Sequence, residues 1–139
     1  MQPKGYKFIK DLTSDVLFEA YGRTPKELFE NAAKALFSVI CQVEKVKPAK
    51  ELTVEVKGKD IKELMFNWLQ ELISLVDIEG MFFSRFVVEK INDKSLKARI
   101  YGEPLSPEKG ETVVKAVTYY KFNVEKTAEG YKATISLDI

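Results

Sequence analysis

Residues 11–15 read DLTSD, two carboxylates four positions apart around a threonine and a serine. Taken alone, such a stretch is turn chemistry, with Asp and Ser side chains bonding nearby amides. A third carboxylate, Asp138, stands one residue before Ile139, where the sequence ends on "SLDI" and adds a terminal carboxylate. Gathered in one place, these oxygens would repel one another without a counter-charge and would suit a hard cation. Ca2+ takes about 6–8 oxygen ligands at about 2.3–2.6 Å, whereas Mg2+ keeps more of its waters. Whether the loop and the terminus meet is a question of fold.

Other chemistries are restricted by composition. Histidine is absent, which removes the commonest general base and the commonest metal ligand of intermediate softness. A metal site in this chain has to be built from oxygen. The single cysteine, Cys41, lies in the apolar run LFSVICQV. It lacks the basic surroundings that make a reactive thiolate, so it is expected to be structural. One cysteine and an N-terminus without an apolar leader point to a reducing, cytoplasmic setting. No apolar stretch approaches the about 20 residues that span a bilayer, and no membrane association is expected. With 22 basic and 21 acidic residues the net charge is +1, which argues against nucleic-acid binding by bulk charge. No P-loop, dinucleotide fingerprint, EF-hand or zinc spacing is present. Trp68 and Phe82, Phe83 and Phe86 fall at core positions, and a base-stacking platform would require the phenylalanines to be exposed.

The elements that must position the carboxylates follow from periodicity. Residues 6–10 read as a strand, and VLFEAYG (16–22) as a second. Thr24, Pro25 and Glu27 form a helix start, followed by an apolar face through Leu28, Phe29, Ala32, Ala33, Leu36, Phe37 and Ile40. LTVEVKG (52–58) alternates as a strand. Asp60, with Glu63 three residues on, caps a second helix that Gly80 ends. Four more strands are expected near 82–91, 96–102, 114–126 and 131–137, with a polar loop at 104–111. The whole, 1–139, reads as one α+β domain. Two helices pack on a mainly antiparallel sheet in the order β-β-α-β-α-β-β-β-β.

These motifs resemble the archease family along nearly the whole chain. DLTSDVLFEAYG followed by TPKELFENAAKALF is similar to the family's opening, with its D-H-T-A-D loop, a strand ending in Tyr-Gly and an E-L-F-E-N-A-A helix. NWLQELISLVDIEG resembles its second helix, VKAVTYY its V-K-A-V-T-Y-H strand, and LDI its usual ending. The resemblance implies a non-catalytic, metal-binding accessory protein. It would activate the GTP-dependent tRNA-splicing RNA ligase, promoting guanylylation of the ligase and multiple turnover, with indirect contact to RNA or GTP. By matching positions it implies metal ligands at Asp15, Asp138 and the Ile139 carboxylate. The divalent ion would be Ca2+, with Mg2+ or Mn2+ as alternatives. Asp11 would be a turn-former or an outer neighbour, and Lys115 a solvated strand residue near the same end. Leu12 and Tyr120 stand where the pattern it resembles has histidine, and Gly110 lies in the loop where that family often carries another, so no histidine role carries over at those positions. Two other readings compete. One is a chaperone or modulator of a nucleic-acid methyltransferase, acting as a plain binding module. The other is a metal-dependent hydrolase or nuclease, against which the near-neutral charge counts.

Overall fold

A computed structural model describes residues 5–10 and 15–139. Asp11 and Leu12 lie outside the described residues. The elements run β1 (Tyr6–Ile9), β2 (Val16–Gly22), α1 (Pro25–Ile40), β3 (Lys50–Lys57), α2 (Ile61–Glu79), β4 (Met81–Ile91), β5 (Ser95–Pro104), β6 (Ala116–Thr127) and β7 (Gly130–Asp138). This is the α+β class and the element order expected from the sequence.

Both helices begin as their caps dictate. The Thr24 side chain accepts from the Glu27 amide, with Pro25 opening α1. Asp60 accepts from the Glu63 amide at 2.8 Å, and Glu63 reaches back to the Lys59 amide at 3.1 Å. Each cap satisfies helix N–H groups that have no partner within the helix, worth about 1 kcal/mol. α2 ends at Gly80, whose φ of 61° is left-handed and favours a residue without Cβ.

The strands divide into two sheets rather than the single one expected. Alternation marks which residues are strand but carries no information on partners. The first sheet has the order β1-β2-β7-β6 and the second β3-β5-β4, with every pairing antiparallel. The helices close the seam between them. α1 packs on β2 of the first sheet and β4 of the second, while α2 packs on β6, β3 and β4. Trp68 ties the helices together: it is fully buried, and its indole N–H donates to the Phe29 carbonyl at 3.0 Å. Phe18, Ala20, Ala133, Ile135 and Leu137 line the inner face of the first sheet. Phe82, Phe83 and Phe86 are buried, so they pack the core and offer no stacking platform. At Gly102 a Cβ would lie 1.9 Å from the Phe82 carbonyl oxygen. This close approach of β4 and β5 sits beside the bulge between Phe83 and Arg85.

Candidate functional site

The register of the first sheet sets the geometry. β2 and β7 pair antiparallel from Gly22↔Tyr131 to Val16↔Leu137. One step beyond the last pair stand Asp15 and Asp138. Residues opposed in this way share a face, with Cβ atoms about 4.5–5.5 Å apart. The core side belongs to Phe18, Ala20, Ile135 and Leu137, so the two aspartates lie on the other side. The hydroxyl of Ser136, a fully buried residue, donates to Asp15 Oδ2 at 3.4 Å. On the other flank of β7, Ala116 pairs with Asp138, and the Lys115 amide donates to the Asp138 carbonyl at 2.8 Å. Ile139 follows and is exposed. Segments 123 positions apart in the chain thus meet at one corner of the sheet.

The donors at this corner suit a hard cation. They are the carboxylate oxygens of Asp15 and Asp138, both half-buried, beside the exposed Ile139, which leaves room for an ion that keeps waters. Among the described residues no three His, Cys, Asp or Glu side chains converge on one point. A cation here would have the two side-chain carboxylates of Asp15 and Asp138 to draw on.

The same face carries a second group of charges, which is differently arranged. Glu19 has Lys7 at 3.9 Å and Lys132 at 3.7 Å, and Lys132 also has Glu125 at 4.0 Å. Lysines and glutamates alternate across all four strands. The Tyr21 hydroxyl donates to Glu19 as well; burial, then that bond, pushes its pKa well above the ordinary phenol range.

Sequence reasoning missed a feature of β6. Between Thr118↔Ser136 and Asn123↔Thr134, four residues of β6 face a single residue of β7. The bulge puts Lys121 at φ 53°, a left-handed conformation that a lysine rarely adopts. Tyr119 is 76% exposed and stacks flat on Phe66 at 4.3 Å, while Lys121 Nζ lies 5.3 Å from the centre of the Tyr120 ring. The available signal was TYYKF itself, five residues running without alternation in a strand that otherwise alternates. Tyr120 therefore belongs to the bulge and not to the regular ladder. Gly110 lies in the β5–β6 loop and bridges to Cys41. Cys41 is buried, its thiol donates to the Phe37 carbonyl, and burial followed by the Glu111 charge pushes its pKa up to about 12. It is a structural thiol, as expected.

Comparison with known proteins addresses identity. The model of the "Archease protein family (MTH1598/TM1083)" matches residues 6–139. "Protein archease" of Methanosarcina mazei is 42% identical, the match covering 99% of this chain and 98% of the relative. "Protein archease" of Pyrococcus abyssi is 43% identical over 85% of this chain and 87% of the relative. The solution structure of Methanobacterium thermoautotrophicum protein 1598 superposes with a TM-score of 0.85 at 35% identity, covering 99% of this chain and all of that one. The crystal structure of an archease from Thermotoga maritima, described as a possible chaperone, shares the fold at a TM-score of 0.70 and 19% identity, over 94% of this chain and 95% of that one. Similarity at these levels, over nearly the full length and in both sequence and structure, means that this chain belongs to the archease family.

Proposed function

We propose that this protein is a metal-binding accessory factor, not itself an enzyme, that activates the GTP-dependent tRNA-splicing RNA ligase in the cytoplasm by promoting its guanylylation and repeated turnover. The observation that supports it most is the register that sets Asp15 against Asp138 beside the end of the chain. Asp15, Asp138 and the Ile139 carboxylate would hold a divalent ion, Ca2+ or else Mg2+ or Mn2+. Such an ion supplies positive charge where phosphoryl oxygens accumulate negative charge. The chain's own residues bind and orient. β2 and β7 hold the two aspartates in register, Ser136 donates to Asp15, and the Lys115 amide fixes the Asp138 backbone. With no histidine in the chain, the acid–base and nucleophilic chemistry falls to the partner.

The test is ligase guanylylation with GTP, with and without this protein, scanned over Ca2+, Mg2+ and Mn2+. Stimulation that needs metal, and that disappears when a few residues are appended after Ile139, is the expected result. Equal stimulation by the extended chain would remove the terminal carboxylate from the mechanism. The alternative is a chaperone or methyltransferase modulator, favoured by the description of the Thermotoga maritima relative as a possible chaperone. It predicts no binding of Ca2+ or Mg2+ by calorimetry at millimolar metal.

A further inference from the structure

A groove of about 500 Å3 lies between the C-terminal ends of both helices and the β5–β6 loop. Its floor is apolar, from Ile40 of α1, Val76 of α2 and Phe82 of β4, and Leu105 and Val113 stand 45% and 80% exposed on its walls. The loop wall is held in place. The Glu111 and Thr112 amides donate to the Ile40 and Val39 carbonyls at the end of α1, and the Leu105 amide donates to Gly80 at the end of α2. The groove is therefore built into the fold.

Its electrostatics are one-sided. Two helices point their negative ends toward it, and neither has a basic residue in its last turn. α2 instead ends VDIE, placing Asp77 and Glu79 where the macrodipole disfavours anions by about 0.3–1 kcal/mol each. Asp77 and Glu111 line the groove, and no lysine or arginine is among the described lining residues. The Glu111 charge is also felt at Cys41. Ser106, in the same wall, has a buried hydroxyl without a hydrogen-bond partner. An apolar floor under a negative rim complements a segment that offers an apolar side chain next to a cation.

We infer that this groove docks a short basic, amphipathic segment of a partner protein. Leu or a similar side chain would enter over Ile40, Val76 and Phe82, and an adjacent Lys or Arg would meet Asp77, Glu111 and the helix ends. Val114, at the edge of the groove, is followed by Lys115, whose amide holds Asp138. A segment seated there is thus held beside the aspartate corner. The inference rests on the proposed function only in taking the occupant to be a protein partner.

The experiment is an amide-resolved NMR titration of the full chain, without metal or ligase, against two ten-residue probe peptides: alternating Leu and Lys, and alternating Leu and Glu. The basic peptide is expected to shift the amides of Val76–Ile78 and Glu111–Val114, and the acidic peptide to leave them unmoved. Asp77→Lys combined with Glu111→Lys should weaken the basic peptide about tenfold or more, and Val113→Ser should weaken it less. Asp77→Lys should also raise Tm slightly, because it places a cation at a helix C-terminus, which reports that the variant is folded. Shifts scattered over other faces, equal binding of the two peptides, or unchanged affinity in the double variant would overturn the inference. Since neither metal nor ligase is present, that failure is distinct from a failure of the proposed function.

Discussion

Two groups of carboxylates share one face of the first sheet, and they are provided for in opposite ways. Glu19 stands mid-sheet with a lysine on each flanking strand and a tyrosine hydroxyl beside it. At the corner, Asp138 has no ion pair among the described residues, and its cross-strand neighbour is another aspartate. Opposite charges across strands stabilise by about 0.2–1 kcal/mol, and like charges directly opposite destabilise by a similar amount. The sheet therefore pairs opposite charges across strands in its middle and sets two aspartates opposite each other at its corner. Two carboxylates set side by side are what the proposed cation site would draw on, whereas the mid-sheet pairs act on stability.

The comparison breaks most decisively in function. Asp138→Ala should abolish ligase stimulation, a loss of tenfold or more measured as guanylylation rate, and should leave the circular dichroism spectrum unchanged. Glu19→Gln should leave stimulation intact. If both variants behave alike, the two groups are not functionally different. Next in size is metal-linked stability. Ca2+ at about 100 times its dissociation constant should add about 2.7 kcal/mol, read as a rise in Tm. Asp138→Ala should lose that rise and Glu19→Gln should keep it. Smaller again is Glu19→Lys, which sets three cations together. We expect about 1 kcal/mol of destabilisation, or about 4 °C in Tm, diminishing as salt is added.

The smallest effect concerns a third carboxylate, Glu103, which follows the balanced pattern. Its bond from Lys109 at 2.8 Å, then that from the Lys47 amide, hold its pKa below the usual glutamate value of 4.5. The folded pKa is the lower one, so this contribution is fully present above pH 4.5 and fades as pH falls through the folded value. Lys109 belongs to the loop that walls the groove. Acidification below pH 4.5 should therefore lower the protection factors of the Lys109–Glu111 amides, their exchange measured relative to the intrinsic rate at each pH, and Glu103→Gln should abolish that pH dependence. An unchanged pH dependence in the variant would show that Glu103 does not secure the loop.

Much of this organisation is legible in the residues, for local reasons. Thr24 and Asp60 start helices because their side chains satisfy amides three residues on. Gly80 stops one because it alone adopts the left-handed turn without penalty, and the spacing of Leu64, Met65, Trp68, Leu69 and Leu72 marks the face that must be buried. Cys41 was legible as structural from its apolar neighbours. The bulge in β6 was less so, since TYYKF has no glycine to announce a left-handed residue and Lys121 adopts one regardless. The groove was hidden altogether. Its floor residues belong to separate elements, and the polar sequence PLSPEKGE disguises a loop whose Leu105 and neighbouring Val113 form apolar walls.

By itself the sequence determined the class of the fold, the order of its elements, the absence of histidine chemistry and the oxygen character of any metal site, because each of these is set within a few residues of chain. Only the tertiary structure decided that the strands form two sheets, that two helix ends converge on one loop, and that Asp15 faces Asp138. Those are pairings between distant segments, chosen by the burial of whole faces, and no local pattern encodes them.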